Sequence, residues 1–183
     1  MPIRIQPLAA EHESAFIAAV RRSASLHRPW VKPPVTPKAF RAYLAKQDGV
    51  RGMGFVAVTD AGELVGVVNV SEIVRGAFHS AYLGYYAFAP QHGRGNMSAA
   101  LALVLTTMFR KHGLHRLEAN IQPANRPSLA LVQRLGFRKE GLSPRYLKIA
   151  GRWRDHERWA ITSEEWKPGR LKLDRGTARP TGE

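Results

Sequence analysis

Apolar and polar positions change period several times along the chain, and each change marks an element. Ile3 to Leu8 alternates as a strand, whereas Phe16, Ile17 and Val20 fall on one face of a helix expected over Glu11 to Ser25. The prolines of His27-Arg28-Pro29-Trp30-Val31-Lys32-Pro33-Pro34 remove donors and force extended geometry on the residues before them, so this segment reads as a loop. A short helix from about Pro37 to Gln47 leads to strand-like Gly54 to Thr59 and Leu64 to Ile73, joined by a turn at Asp60-Ala61-Gly62. Ser80 to Phe88 forms another β-rich run. It ends in Ala89-Pro90-Gln91-His92-Gly93-Arg94-Gly95, after which Met97, Leu101, Val104, Leu105 and Met108 keep helical spacing as far as Lys111, with Gly113 as the stop. Leu114 to Gln122 reads as a strand. Asn125 is placed to cap a helix that carries Pro127 in its first turn and runs to about Arg134. A last hairpin is expected from Tyr146 to Ile149 and Arg154 to Ile161, turning at Ala150-Gly151.

Composition sharpens this outline. The chain has 183 residues, 44% hydrophobic and 23% charged, enough for one globular domain. From Lys167 onward apolar residues nearly vanish, so a domain over 1–166 and a basic disordered tail over 167–183 are expected. The tail holds five Lys and Arg against two acids, or +3 of the net +14, leaving +11 on the body. Such a charge favours anionic partners without naming one. No apolar run is long enough for a bilayer, the start lacks the pattern of a secretory signal, and there is no Cys; a cytoplasmic protein without disulfides, thiolate metal sites or a Cys nucleophile is expected. The seven His residues show no paired ligand spacing, so no metal is expected.

The segment His92-Gly93-Arg94-Gly95-Asn96-Met97-Ser98 lies between a strand and a helix, where free amides and the helix dipole suit a phosphate. A ligand-free turn is the plain alternative. A Walker loop is excluded, since no Gly, four residues, Gly-Lys-Ser/Thr occurs. A dinucleotide fingerprint fits poorly: Ser98 stands at the third glycine position, and four residues separate the strand from the first glycine.

The loop resembles the acetyl-CoA signature of the GNAT superfamily of N-acetyltransferases: Arg/Gln, two residues, Gly, one residue, Gly/Ala. Here the window reads His92 to Met97, with His92 and Met97 departing from the pattern at its two ends. Tyr82-Leu83-Gly84-Tyr85, Ala119-Asn120, Asn125-Arg126-Pro127-Ser128, Arg134-Leu135-Gly136-Phe137, Lys139-Glu140-Gly141, Gly151-Arg152-Trp153-Arg154-Asp155-His156 and Glu165-Trp166-Lys167-Pro168-Gly169-Arg170 are similar to the branch that acetylates the N-terminal alanine of a ribosomal protein. The resemblance implies a single α/β (α+β) domain. Its mixed, mostly antiparallel sheet would have two splayed central strands and flanking helices. It further implies acetyl-CoA as donor, with the pantetheine arm between Leu83 to Ala87 and Asn120 to Gln122. The diphosphate would rest on the glycine loop, and the amine would attack directly without an acyl-enzyme.

The cofactor set implied is Leu83, Tyr85, Ala87, His92, Gly93, Arg94, Gly95, Asn96, Met97, Ser98, Asn120, Asn125 and Ser128. The Tyr acid that many members carry seven residues after the helix-starting Asn is absent; Val132 stands there. Ser128 matches a Ser that relatives place near the leaving thiolate, its alternative being support of the helix N-terminus. Glu118 shares a strand face with Asn120 and Gln122 and is the candidate base, or else the ion-pair partner of Arg116 or Arg158. Tyr85 either orients the reacting groups or fills the core. Trp30, beside His27, either caps the substrate end of the cleft or is a core residue. The acceptor expected is a protein N-terminal amine, a ribosomal protein with rRNA nearby. The alternatives are a small-molecule or side-chain amine and a basic ribosome- or nucleic-acid-binding module, although no nucleic-acid motif stands out.

Overall fold

Strand propensity in the first half is spent on a meander. In a computed structural model that describes residues 2–168, β1 (Ile3–Pro7), β2 (Gly52–Thr59), β3 (Leu64–Val74) and β4 (Ser80–Ala87) pair consecutively and antiparallel. The β4 chain then passes through the glycine loop into α4 (Asn96–Arg110) and returns as β5 (Arg116–Ile121), parallel to β4. After α5 (Arg126–Leu135), the long hairpin of β6 (Arg138–Ile149) and β7 (Arg152–Thr162) closes the sheet in the order β1-β2-β3-β4-β5-β7-β6. Three helices, α1 (Glu13–Arg22), α2 (Ala24–His27) and α3 (Pro37–Leu44), lie between β1 and β2 in sequence. The fold is thus a single α/β domain on a mixed seven-stranded sheet.

Two apolar clusters cover the two sheet faces. On one, Leu101, Val104, Leu105 and Met108 of α4 and Leu129, Val132 and Leu135 of α5 bury against Leu83, Leu117, Ala119 and Ile121. On the other, Phe16 of α1 and Phe40 of α3 meet Tyr86 and Phe88 at the end of β4, with the Phe16 and Phe40 rings 4.9 Å apart. Side chains of β4 therefore alternate: Leu83 toward α4, Tyr86 toward α1. Trp166 is buried and its indole donates to Thr106 Oγ1 at 3.1 Å, so the described chain is anchored up to the start of the expected tail. The remainder of that tail, 169–183, lies outside the described residues.

Two expectations need correction. The first long helix is a 3₁₀ turn (Ala10–His12) followed by α1 and the short α2, because Ser23 interrupts it. Buried Ser23 donates to Ala19 O at 2.7 Å and accepts from Ala89 N at 2.9 Å, which ties the helix end to the chain just after β4. The first strand of the last hairpin begins at Arg138 rather than Tyr146. Gly141 and Pro144 obscure it in the sequence, and both are tolerated because β6 is an edge strand interrupted by register shifts.

Candidate active site

The feature that shapes the site is an interrupted pairing. The parallel register of β4 and β5 covers only Ser80↔Arg116, Ala81↔Leu117 and Tyr82↔Glu118, although both strands continue beyond it. On the other side of β4, Phe88 N donates to Val65 O at 2.8 Å, with Gly66↔Ala87, Val68↔Tyr85 and Val70↔Leu83 in register. Alternation of antiparallel bonds then turns the main-chain groups of Leu83, Tyr85 and Ala87 away from β3, into the gap left by β5. The gap is an unpaired β edge inside the molecule, and an extended ligand bearing amides can complete it.

A cavity of about 510 Å³ opens beside this edge, within the range of small-molecule sites. Tyr85, Tyr86 and Ala87 form its floor, the glycine loop and the start of α4 one end, Asn125 to Arg134 of α5 a side, and Leu26 to Val31 the far wall. Among the described residues no carboxylate lines it, whereas His92 and Arg134 do. Its bias is toward anions. Gly93 and Gly95 hold φ of +73° and +77°, and a Cβ built on either would meet nothing within 4 Å. Positive φ turns successive amides to one side, and none of the amides of Gly93 through Met97 finds a protein acceptor among the described residues. The loop is therefore a cradle with room in front of it, at a 15-residue helix's N-terminus. A diphosphate fits that donor set.

At the other end Asn125 caps α5, its Oδ1 accepting from Ser128 N at 3.3 Å. The cap fixes Ser128 in the first turn, where its Oγ lies 2.8 Å from the Tyr85 hydroxyl. Burial pushes the Tyr85 phenol well above its ordinary value, so it stays protonated. His27 is buried, and burial lowers its pKa, so the ring is neutral. Its Nε2 donates to Ala87 O at 2.9 Å, leaving Nδ1 as a buried acceptor without a partner among the described residues.

The structure brings together Tyr85, Ala87, His92, Gly93, Gly95, Met97, Ser98, Asn125 and Ser128 in this cavity wall. It brings in the side chains of none of the other expected residues. Leu83 offers its main chain to the gap while its side chain is buried under α4. Ala87 keeps only its N–H free, since its carbonyl is taken by His27. Asn96 turns its side chain inward, to Gln91 O at 3.3 Å and Gln91 Oε1 at 3.2 Å, so it can offer a ligand its backbone alone. Arg94 is exposed outside the wall. Asn120 lies on the opposite sheet face from α4, its Oδ1 buried without a partner among the described residues. Gln122 borders a separate cavity of about 320 Å³ with Trp153 and Asp155.

Glu118 is the main departure from the sequence reading. It stands at the last register pair before the gap, outside the cavity wall, with Oε1 bonded to Arg116 Nε at 2.9 Å. Arg116 in turn binds Glu140, whose carboxyl Arg116 and Arg138 hold down at about 2. The ion-pair alternative for Glu118 is thus realised, with Oε2 left without a partner among the described residues. Tyr82, opposite Glu118, has its phenol pushed up to about 12, chiefly through Tyr146.

Arg134 has no role in the sequence reading, yet its Nη1 donates to Ser98 Oγ at 3.2 Å across the mouth of the cradle. A cation in the last turn of a helix looks like a dipole partner, and only the packing of α5 on α4 gives it this second position.

Comparison with known proteins decides the family. Residues 3–138 match the family model described as an acetyltransferase (GNAT) domain. This chain belongs to the GNAT acetyltransferase family. Within it, the chain is similar to the [ribosomal protein uS5]-alanine N-acetyltransferase of Escherichia coli, 46% identical over 111 residues that make up 61% of this chain and 57% of that protein. The match to the probable N-acetyltransferase YjcK of Bacillus subtilis is 37% identical and covers 56% of each. The chain thus aligns with under three fifths of the length of these curated relatives. Among solved GNAT structures, Mycobacterium smegmatis RimJ in complex with CoA-disulfide superposes with a TM-score of 0.82, 32% identity, and coverage of 89% of this chain and 83% of that one. The ribosomal-protein-S5-alanine acetyltransferase of Vibrio fischeri gives 0.79, 27%, 91% and 96%. In this GNAT domain the splayed edge, the cradle and the Tyr85–Ser128 pair share one cavity.

Proposed function

We propose that the chain transfers an acetyl group from acetyl-CoA to the α-amine of a protein N-terminus, with the N-terminal alanine of a ribosomal protein as acceptor, in the cytoplasm. The observation that carries this reading is the continuous cavity running from the Gly93 to Met97 amides, along the open edge of β4, to the Ser128 hydroxyl. The relatives named for alanine acetylation of a ribosomal protein support the acceptor.

Acetyl-CoA supplies, when bound, an acetyl group activated as a thioester. The amides of Gly93 through Met97, with Arg134 and His92, would hold its diphosphate, and the main-chain groups of Leu83 and Tyr85 would hold the pantetheine amides. Ser128 would direct its hydroxyl at the leaving sulfur. An α-amine has a pKa near 8, so a fair fraction is neutral at cytoplasmic pH and a strong base is not required. Glu118 Oε2, at the point where the strands part, would take the proton lost by the amine, directly or through one water. Fixing donor and amine together supplies the rest by proximity. With no cysteine in the chain, a thiol acyl-enzyme is excluded, and transfer is direct to the amine or through a non-thiol nucleophile. The +11 on the body would favour approach to an acceptor presented beside RNA, in a salt-dependent way.

The test is incubation with isotope-labelled acetyl-CoA and a ribosome-containing extract, followed by mass spectrometry of protein N-termini. Label on the N-terminal residue of a ribosomal protein is expected. Label confined to small amines or lysine side chains would overturn the acceptor, and no transfer at all would overturn the activity.

A further inference from the structure

We propose that Tyr85 is a positioning residue: it donates its phenolic proton to Ser128 Oγ and thereby turns the single proton of Ser128 toward the ligand in the cavity. This deepens the proposed function and rests on it.

Two hydroxyls with one proton each meet at the end of the cavity. Tyr85 projects from β4 toward α5, and the only partners of its hydroxyl among the described residues are Ser128 Oγ at 2.8 Å and Ser128 O at 3.4 Å. A phenol and a hydroxyl at that distance leave the donor undecided, since each carries one proton and accepts as well. Acidity decides it. A phenol is the stronger donor and the poorer acceptor of the two, and this phenol stays protonated, so Tyr85 donates. Donation goes to the nearer oxygen, whose distance matches an O–H···O bond and whose rival is long.

Once Ser128 Oγ accepts from Tyr85, its own proton must point elsewhere. Its backbone N–H is already committed to the Asn125 cap, and no second acceptor for Oγ exists among the described residues. Both side chains line the cavity, which is the direction that remains. The serine is thus locked as a donor facing the ligand rather than free to rotate. When the amine attacks, the C–N bond forms and the C–S bond breaks with its electron pair on sulfur. Ser128 offers the leaving thiolate a hydrogen bond, and the amine's proton passes to Glu118 or water. Tyr85 keeps its proton throughout and touches no reacting atom. Val132 occupies the position of the Tyr acid in many GNAT proteins, and the Tyr85–Ser128 pair places a phenol behind the serine instead.

The experiment is a double-mutant cycle of Tyr85→Phe and Ser128→Ala with two readouts, after thermal melts establish that each variant folds. First, calorimetry compares CoA with desulfo-CoA at a pH where the thiol ionises. The full chain should favour CoA by several-fold, Ser128→Ala should abolish that preference, Tyr85→Phe should reduce it, and the double variant should match Ser128→Ala. Second, Tyr85→Phe should lower kcat on the order of tenfold with KM for acetyl-CoA unchanged, but by less than about twofold when Ser128 is already Ala. Equal losses from Tyr85→Phe in both backgrounds would reduce Tyr85 to a packing residue and overturn the proposal. So would an unchanged CoA preference in Tyr85→Phe. The calorimetric arm needs no acceptor, so a wrong acceptor leaves it standing, whereas a chain that binds neither CoA nor desulfo-CoA would overturn the proposed function itself.

Discussion

Replacing Gly95 by Ala separates two costs that the glycine loop combines. Gly95 is the N-cap of α4 at φ +77°, where an L-residue is strained by roughly 1–2 kcal/mol. A Cβ there meets no atom within 4 Å, so no clash adds to the strain. For a domain of this size that amounts to a melting point lower by about 2–8 °C. The methyl group would occupy the space in front of the amides of Gly93 through Met97. Losing one or two charge-assisted bonds there, each worth about 1.5–3 kcal/mol, should weaken CoA binding by at least tenfold. Gly151→Ala is the matched control: its φ is +81°, its Cβ also meets nothing, and it lies in the β6–β7 turn away from the cradle. Calorimetric titration with CoA and thermal melts of both variants form the assay. Similar melting shifts are expected, with CoA binding weakened only in Gly95→Ala. A Gly95→Ala chain that binds CoA as tightly as the parent, or a Gly151→Ala chain that binds as poorly, would refute the assignment of the cradle to the diphosphate.

Three further outcomes follow from the same geometry. Arg134→Ala should raise the Kd for CoA by roughly tenfold and flatten its dependence on salt, with little effect on folding; an unchanged salt dependence would place Arg134 outside the ligand's field. Glu118→Gln should lower kcat by on the order of a hundredfold, while unaltered kcat would leave proximity and water as sufficient. His27 and His156 are both buried, and burial holds their pKa values below the ordinary 6.5, so the folded chain binds fewer protons than the unfolded one as pH falls through that value. Their stabilisation is present above about pH 6.5 and is lost below it, toward the folded pKa values, at up to about 1.4 kcal/mol per pH unit for each. The lowered carboxylates, with Glu140 at about 2, act with the same sign but only below the usual carboxylate range. Melting should therefore drop between pH 7.5 and 5.5, and a flat curve would contradict the buried neutral histidines.

What the sequence made legible is what local chemistry encodes. The spacing of Met97, Leu101, Val104, Leu105 and Met108 matched α4 because one helix face carries the core. Asn125 and Pro127 marked the start of α5 because capping is a property of neighbours in sequence. The strand after Phe137 was hidden, since an edge strand with exposure on both faces shows no period of two. The break at Ser23 depends on an amide 66 residues away, and the place of Arg134 on how α5 packs beside α4. His27 enters the site for a similar reason, through the carbonyl of Ala87. Asn96 and Glu118 stood at the right positions in the chain, yet their side chains answer to Gln91 and Arg116, groups whose approach only the folded sheet determines.

Under the proposed function, the cavity delivers acetyl to an α-amine. That delivery is tested most directly with a synthetic peptide bearing an N-terminal alanine and an internal lysine, incubated with acetyl-CoA and sequenced by fragmentation mass spectrometry. Acetyl is expected on the terminal amine alone, at a rate that falls with Ser128→Ala. Acetyl on the lysine, or none while a small amine in the same tube is acetylated, would contradict it.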